Sequence, residues 1–348
     1  MIIKIAKRTI GETQPVFIVA ELSCNHLQKY DLAVKTIKAI KKAGADAIKL
    51  QTFTPDSLSL NIKNKYFQKK KEGLWKGMTS YEIFQKAYTS WEWQPKLKKI
   101  AEKLDLICFS TPFDKKAVDF LEKINIPAYK IGSLEITDIP LIEYTASKQK
   151  PMLISTGIAT KADIKEAIKA CKRVGNNKII LLKCVSNYPT PLEEVNLKTI
   201  PRMKKTFKVI VGLSDHTLAN TTTIAAVALG AKVIEKHFIL KRSLKSLDAV
   251  FSLEADEFRQ MVNSVREVEK ALGNETITLT AGMKKARRSA KSLFVVKNIK
   301  KGEIFTEDNV RPIRPNNGLP PKYLKNILGK KGKANIKKGT PLSWKQVE

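Results

Sequence analysis

The chain of 348 residues is long enough for one large domain with a buried core and one small domain. No apolar run approaches the roughly 18 residues of a membrane span, and the first residues lack the apolar core of a signal peptide, so neither a membrane protein nor a secreted one is expected. Four widely spaced cysteines without a C-x-x-C pair argue against structural zinc or a disulfide framework, and they fit a reducing cytoplasm.

The formal net charge of +31 is the most unusual bulk property. Basic chains often bind nucleic acid or anionic membranes, but these lysines are spread along helical segments and no nucleic-acid-binding motif accompanies them. We therefore expect neither nucleic acid nor a membrane as partner, and keep a basic nucleic-acid or glycan binding module only as an alternative. The charge fits a lysine-rich composition, and it would also steer an anionic small substrate.

Eight short β-rich runs alternate with segments of helical period between residue 16 and about residue 272. Thr160 is a predicted N-cap, and Gly44, Gly175 and Gly230 are predicted left-handed C-caps. Eight such units in this length predict a (β/α)8 barrel, whereas a doubly wound sheet is disfavoured because the first turn, 21–26, contains no glycine. The predicted strands are 16–21, 47–53, 106–110, 128–132, 152–156, 179–184, 209–216 and 233–240, and the predicted helices include 31–43, 115–123, 161–174 and 221–229.

A long insertion, 54–95, follows the second predicted strand and includes segment 73–75, which ends in Trp75, and the aromatic segment 88–93. In a barrel this insertion lies at the carboxyl ends of the strands, where active sites are found, so its aromatic side chains could cover a substrate. Alternatively, Trp91 and Trp93 only anchor the next helix. The sequence leaves both interpretations open.

The composition changes near residue 281, and a short motif is then repeated. Residues 298–303 recur as 335–340, which predicts a small pseudo-symmetric β-rich module with a glycine turn in each copy. We expect a barrel at 1–280, a basic linker at 281–291 and the module at 292–348. Residues 285–348 contain 17 Lys or Arg and 4 Asp or Glu, which indicates a basic face toward an anionic ligand.

A dozen polar residues fall at the carboxyl ends of the predicted barrel strands. One of them means little, but each buried polar group left unpaired costs about 1–3 kcal/mol, so this many at one end predict a site. They are Glu21, Lys49, Gln51, Thr111, Lys130, Ser133, Ser155, Ser186, Ser214, His216, Glu235 and His237.

His216 and His237 end two neighbouring strands, so their imidazoles are predicted to share one divalent metal ion. A histidine pair without thiolates suits a borderline ion such as Mn, Fe, Co or Zn, with positions left for water and substrate. Glu235 shares the face of His237 because strand side chains alternate. His26, in the first loop, is expected only to order that loop.

Lys49 and Lys130 lie within strands and admit two interpretations. One is a Schiff-base nucleophile, as in a class I aldolase; the other is a cationic clamp for phosphate and carboxylate. The hydroxyl groups at neighbouring strand ends would bind a tetrahedral anion and favour the clamp.

These motifs, in their order along the chain, resemble those of the sialic acid synthase family, and the C-terminal repeat resembles that family's antifreeze-like (SAF) domain. The resemblance extends over essentially the whole chain. It rests on segments 20–26, 49–52, 110–113, 129–133, 155–157, 188–190, 212–216 and 235–238.

The resemblance implies a (β/α)8 barrel followed by an SAF domain, and a condensation of phosphoenolpyruvate with an N-acetylated amino sugar in its aldehyde form. The products are a nonulosonic acid and phosphate. It implies a divalent metal, Mn foremost with Mg or Co as alternatives, held by His216 and His237. Glu21 is expected to orient or deprotonate water, and Glu235 to assist at the sugar. The implied phosphoenolpyruvate ligands are Lys49, Thr111, Lys130, Ser133, Ser155, Ser186 and Ser214.

The implied sugar-binding residues are Gln51, Tyr188, Asp248 and Arg314, with Arg314 reaching the site from the partner in a domain-swapped homodimer. Whether Ser186 or Asn187 meets the ligand is open. Segments 73–79 and 88–93 look most like those of the pseudaminic acid synthases in this family, whose substrate is 2,4-diacetamido-2,4,6-trideoxy-L-altrose. N-acetylneuraminic or legionaminic acid synthesis is the alternative.

Overall fold

Eight parallel strands close into a barrel at the centre of the unit Met1–Gly273. The structure, a computed structural model, describes residues 1–348, and Asn274–Glu348 form a second unit. Hydrogen bonding of the last strand to both the seventh and the first closes the barrel and confirms the predicted fold class.

An antiparallel hairpin precedes the barrel and is made of β1 (Ile2–Ile5) and β2 (Arg8–Gly11). The barrel strands are β3 (Phe17–Glu21), β4 (Ala47–Thr52), β5 (Ile107–Pro112), β6 (Tyr129–Ile131), β7 (Met152–Ser155), β8 (Ile179–Lys183), β9 (Ile210–Asp215) and β10 (Val233–His237).

Helices follow the strands and cover the outside of the barrel. In the first unit they are α1 (Tyr30–Lys42), α2 (Pro55–Leu58), α3 (Ser80–Ala87), α4 (Gln94–Lys103), α5 (Lys115–Lys123), α6 (Ile139–Ala146), α7 (Lys161–Arg173), α8 (Thr199–Phe207), α9 (Asn220–Ala228) and α10 (Ala255–Leu272). The second unit contains α11 (Ala281–Arg287), β11 (Ser292–Val295), β12 (Val310–Ile313) and α12 (Leu324–Ile327). None of these helices combines the length and the apolar character that a bilayer-spanning segment needs.

The predicted element boundaries are mostly within two residues of those observed, with one larger error. The last barrel strand ends at His237 and does not reach residue 240. Phe238 instead makes a single parallel bridge to Leu253 after leaving the barrel. The predicted cap at Thr160 is confirmed, since its side chain accepts a hydrogen bond from the Asp163 N–H.

Strand alternation divides the buried residues into two layers. Ile234 and Phe238 of the last strand region face the helices, while Val233 faces the barrel interior. The hairpin side chains Ile3 and Ile5 join the interior cluster and pack at the amino-terminal ends of the strands. That end of the barrel is therefore filled by apolar side chains, and polar interior residues are confined to the carboxyl end.

The second unit shows the predicted internal symmetry. Ile299 and Ile336, equivalent positions of the two copies, form an antiparallel bridge. The hydrogen bonds are reciprocal: the Lys301 N–H donates to Asn335 Oδ1 and the Lys338 N–H donates to Asn298 Oδ1, each at 2.8 Å. The glycine that ends each turn has a positive φ, +80° at residue 302 and +89° at residue 339, which a residue with a side chain rarely adopts.

Gly212 of β9 gives a test of barrel packing. A Cβ at this position would collide with the Val233 carbonyl oxygen and lie 2.8 Å from Leu182 Cδ2, so Gly212→Ala must push neighbouring strands apart. We expect a loss of about 1–3 kcal/mol in the free energy of unfolding of the barrel, measured by urea denaturation. The matched control is Gly282→Ala in α11, where the nearest atom is 3.9 Å away and alanine favours the helix. Equal stability of the two variants would contradict this account.

Candidate active site

A cavity of about 390 Å³ opens at the carboxyl ends of the barrel strands. Parallel strands end at the same edge, so residues far apart in the sequence meet there. Among the predicted site residues, those that line the cavity are Glu21, Lys49, Gln51, Thr111, Lys130, Ser133, Ser155, Tyr188, Ser214, His216, Glu235, His237 and Asp248.

Two lysines and two glutamates form a buried ionic cluster at the floor of the cavity. Lys49 Nζ lies 2.9 Å from Glu21 Oε2 and 2.8 Å from Glu235 Oε1, and Lys130 Nζ lies 3.3 Å from the same Glu235 oxygen. All four side chains are at most 4% exposed. Charges this deeply buried are tolerated only when they are paired, and here two positive charges balance two negative ones.

The cluster sets the protonation of its members. Burial alone would raise the pKa of Glu21, but the charges of Lys49, His237 and Lys130 outweigh it and hold that pKa well below its usual range. Burial likewise opposes the charge of Lys49, yet Glu21 and Glu235 raise its pKa above the ordinary lysine value. For Lys130, burial prevails and lowers the pKa. Glu21 is therefore ionised and Lys49 is an ammonium group at neutral pH.

His216 and His237 face each other across the cavity, with ring centroids 5.3 Å apart. His216 Nδ1 lies 3.1 Å from the Val185 carbonyl oxygen, so Nδ1–H is the donor and Nε2 keeps its lone pair. His237 Nε2 lies 3.2 Å from Glu21 Oε2, while its buried Nδ1 has no hydrogen-bond partner and is 3.6 Å from Asp248 Oδ2.

These donors fit a divalent cation. A metal-binding imidazole usually donates its other N–H to a carbonyl or carboxylate, as His216 does to Val185. His216 and His237 are the side chains that could hold such an ion here, and no group of three or more His, Cys, Asp or Glu side chains forms a ready metal site. An ion held there keeps positions for water and substrate oxygen atoms.

Two serine hydroxyls lie close to Gly157, in the turn after β7. A Cβ at Gly157 would collide with the hydroxyls of Ser133 and Ser186, so the absent side chain makes room for them. The hydroxyls of Ser155 and Ser186 are buried without a partner. A buried hydroxyl without a partner costs free energy, and an anion such as phosphate could accept hydrogen bonds from both hydroxyls.

Ser186 and Asn187 have different surroundings, and which of them meets the ligand stays a prediction. Ser186 does not line the cavity surface, but its hydroxyl reaches the Gly157 turn. Asn187 is exposed, and its side-chain amide donates to Glu194 at 3.2 Å.

The outer cavity wall is mostly aromatic. Trp75, from the 54–95 insertion, donates its indole N–H to the Leu247 carbonyl at 3.1 Å, and its ring lies 6.3 Å from that of Tyr188. Below it, Gln51 donates to Glu21 Oε1 at 2.9 Å. The other apolar wall residues are Phe53, Leu58, Ile83, Phe84, Phe113 and Phe251.

Trp91 and Trp93 do not line the cavity. Trp91 donates to the Phe53 carbonyl at 3.1 Å, and its ring packs 4.8 Å from that of Phe120. Trp93, the N-cap residue of α4, packs against Tyr30 of α1. Trp91 and Trp93 therefore act as anchors before α4, whereas Trp75 of the same insertion lines the cavity, so each interpretation holds for part of the insertion. That Trp75 covers a bound substrate stays a prediction.

Some cavity residues escaped the sequence analysis. Glu135 lines the cavity two residues after Ser133, and burial raises the pKa of its carboxyl. Ser23 also lines it and donates to Asp248 at 2.5 Å. A signal existed, since both follow a barrel strand within four residues. Neither belongs to the alternating strand pattern, however, so strand periodicity does not predict them.

Two predicted residues lie elsewhere. Arg314 is an exposed residue of the second unit, just after β12, and its role in a partner's site stays a prediction. His26 is buried and orders the first loop, as expected: Nε2 lies 2.9 Å from the Thr89 hydroxyl and Nδ1 accepts from the Gln28 N–H. Burial lowers the pKa of His26 to about 4, so it is neutral.

Comparisons with known proteins agree with this geometry. Residues 36–277 match the NeuB family and residues 290–348 match the SAF domain. The pseudaminic acid synthase of Helicobacter pylori is 46% identical over 96% of this chain and 98% of its own length. The N,N'-diacetyllegionaminic acid synthase of Legionella pneumophila is 33% identical over 97% and 96%. The crystal structure of N-acetylneuraminic acid synthetase from Leptospira borgpetersenii has a TM-score of 0.73 at 29% identity, covering 82% of this chain and 95% of that one.

The ionic cluster predicts that Lys49 forms no Schiff base. An ammonium held between two carboxylates has no lone pair for attack on a carbonyl. Borohydride treatment in the presence of phosphoenolpyruvate and amino sugars should add no mass to Lys49, as read by peptide mass spectrometry. Lys130, whose pKa is lowered, is the internal comparison. A reduced adduct on either lysine would revive the class I aldolase interpretation.

Proposed function

The chain belongs to the NeuB family, and we propose that it condenses phosphoenolpyruvate with 2,4-diacetamido-2,4,6-trideoxy-L-altrose and water to give pseudaminic acid and phosphate. The observation that supports this best is the near-complete match, at 46% identity, to a pseudaminic acid synthase. The cavity supplies what the reaction needs: cations for an anionic substrate, carboxylates for proton transfer, and an imidazole pair.

Phosphoenolpyruvate is proposed to bind at the cavity floor. Its carboxylate and phosphate would contact Lys49 and Lys130, which already form ion pairs with a carboxylate. Charge-assisted contacts of this kind are stronger than hydrogen bonds between neutral groups. The remaining proposed phosphate and carboxylate ligands are Thr111, Ser133, Ser155, Ser186 and Ser214, of which Ser155 and Ser186 have unpartnered buried hydroxyls.

NeuB family synthases are generally metal-dependent, and His216 and His237 are the proposed ligands here, with Mn foremost and Mg or Co as alternatives. When bound, such an ion polarises the aldehyde oxygen of the sugar as a Lewis acid. The Val185 carbonyl fixes the orientation of the His216 ring, and Glu21 does the same for His237.

The proposed chemistry forms one carbon–carbon bond and one carbon–oxygen bond, the latter to water, and it breaks the carbon–oxygen bond to phosphate. Carbon 3 of phosphoenolpyruvate attacks the aldehyde carbon, water adds at carbon 2, and the resulting tetrahedral centre releases phosphate. Glu21, ionised because the charges of Lys49 and His237 outweigh burial and lower its pKa, is proposed to orient that water or to accept its proton. Glu235, held by Lys49 and by the Ser214 hydroxyl at 2.9 Å, would assist at the sugar hydroxyl that receives a proton.

The sugar is proposed to lie between Gln51, Tyr188, Asp248 and the aromatic wall. The diacetamido-trideoxy sugar presents an acetamido group at carbon 4 and a methyl group at carbon 6, where N-acetylmannosamine presents hydroxyls. An apolar wall formed by Trp75, Phe53 and Phe84 favours such groups, because it offers no hydrogen-bond partner for a hydroxyl. N-acetylneuraminic or legionaminic acid synthesis stays the alternative within the family.

The dimer implied by the family resemblance is part of the proposal. In it, Arg314 of one subunit would reach the N-acetyl region of the sugar in its partner's site. Its exposed position in the second unit leaves its guanidinium available for such a contact.

Substrate choice is tested by phosphate release from phosphoenolpyruvate across a panel of amino sugars with added Mn²⁺. We expect kcat/KM for the diacetamido-trideoxy sugar to exceed that for N-acetylmannosamine by at least about tenfold, because the apolar wall discriminates against added hydroxyls. A preference for N-acetylmannosamine would favour the sialic acid alternative. No phosphate release with any sugar, together with salt-dependent polymer binding, would favour a basic binding module.

Two matched variants show whether the wall produces this preference. Trp75→Phe and Trp91→Phe each remove one indole hydrogen bond of 3.1 Å to a backbone carbonyl, but only Trp75 lines the cavity. We expect Trp75→Phe to raise KM for the sugar and to leave KM for phosphoenolpyruvate unchanged. Trp91→Phe should alter neither, and an equal effect of both would contradict a role of the wall.

Metal dependence is tested by chelation. EDTA should abolish phosphate release, and Mn²⁺ added in excess should restore it, because the chelator competes with the two imidazoles for the ion. His237→Asn should not be restored by Mn²⁺, while circular dichroism shows that it is folded. Full turnover in EDTA would refute a metal at this site.

A further inference from the structure

A second buried ion pair lies directly behind the two histidines, on the helix side of the barrel. Lys236 Nζ donates to Asp215 Oδ2 at 2.6 Å, and the two side chains are 0% and 1% exposed. Asp215 immediately precedes His216, and Lys236 immediately precedes His237. Because successive side chains point to opposite faces of a strand, the histidines face the cavity while this pair faces α9.

The strand register places this pair where the two histidines leave the sheet. Lys236 is the Cα partner of Asp215, and this is the last paired position between β9 and β10. His237 continues in register with Glu21 of β3. His216, however, lies one residue beyond the end of β9 and is not paired with a neighbouring strand.

The Asp215 carboxylate also holds the chain on the far side of His216. Its Oδ1 accepts the Thr217 N–H at 2.9 Å, and its Oδ2 accepts the Thr222 hydroxyl of α9 at 2.7 Å. Lys236 Nζ is further placed 3.5 Å from the Ala219 carbonyl oxygen. Asp215 and Thr217 flank His216 in the chain. The Asp215 carboxylate therefore restrains both neighbours of His216, since it is anchored to Lys236 and accepts the Thr217 N–H.

A buried ion pair adds little stability compared with well-packed apolar side chains of similar volume, so stability gives no strong reason for this one. Its hydrogen bonds are directional, however, and they fix atomic positions more narrowly than apolar packing does. We propose that the Asp215–Lys236 pair is a positioning device that sets the separation of the His216 and His237 imidazoles for a shared divalent cation. This inference rests on the metal site of the proposed function.

The test is Mn²⁺ affinity, read from the electron paramagnetic resonance signal of free Mn²⁺ in a titration without substrates. Asp215→Leu/Lys236→Met replaces the pair by apolar side chains and should keep a Tm close to that of the natural protein. Its Kd for Mn²⁺ should nevertheless rise about 10–100-fold, as for other groups that orient metal ligands. Natural affinity in the folded double variant would overturn the proposal.

Asp215→Asn/Lys236→Gln provides a second variant in case the first double variant fails to fold, since it leaves no unpaired buried charge. The amide oxygen at position 215 retains the acceptor for the Thr217 N–H, while the ionic attraction between the two side chains is lost. We expect weaker Mn²⁺ binding than in the natural protein, and unchanged affinity would overturn the proposal.

Arg266→Met is the matched control for general destabilisation. It breaks a 3.0 Å ion pair with Asp46, at the amino-terminal end of β4 and away from the cavity. Its Tm should fall while its Mn²⁺ affinity stays natural, and an equal loss of affinity would overturn the proposal.

The natural protein and His216→Asn separate this inference from the proposed function. If the natural protein binds no Mn²⁺, or binds it equally well as His216→Asn, the metal site itself is wrong and the positioning role falls with it. If the Asp215–Lys236 variants bind Mn²⁺ as tightly as the natural protein while His216→Asn binds it more weakly, the metal site stands and only the positioning role is refuted.

Discussion

The ammonium of Lys49, held between the carboxylates of Glu21 and Glu235, is the interaction on which the rest of the site depends. It allows two negative charges to be buried side by side at the floor of the cavity, where either charge alone would be costly. Glu21 in turn contacts His237 and accepts a hydrogen bond from Gln51. Glu235 pairs with Lys130 and accepts a hydrogen bond from Ser214. The proposed acid–base glutamates, both lysines, Ser214 and His237 thus form one connected network.

Such a network needs a scaffold that is apolar everywhere else. The hairpin that precedes the barrel packs its isoleucines among the interior side chains at the amino-terminal ends of the strands. Helices cover the outer face of the strands with a continuous apolar layer. Polar groups facing inward therefore meet only one another, in a poorly hydrated place where charge interactions are strong and where a bound anion would complete the partners of Ser155 and Ser186.

The two faces of β9 and β10 carry side chains with different roles: those facing the cavity are the proposed reactive groups, and those facing the helices position them. Residues that face inward, Glu235 and the histidines, present free polar atoms to the cavity. Residues that face outward, Asp215 and Lys236, use up their hydrogen-bonding capacity on each other and on α9. Side chains that react must be available and therefore poorly satisfied, whereas those that position them must be fully bonded.

The sequence by itself determined the barrel, its strand order, the internal repeat of the second unit and the strand-end residues of the cavity. Each of these follows from local periodicity, or from the rule that parallel strands end at one edge. Only the tertiary structure decided that Trp75 and not Trp91 lines the cavity, and that Glu135 and Ser23 also line it. These residues lie on loops, whose paths depend on contacts with distant segments, such as the bond from Trp75 to the Leu247 carbonyl, that no local pattern encodes. The same holds for the pairing of Lys236 with Asp215, because it depends on the register between two strands separated by a helix.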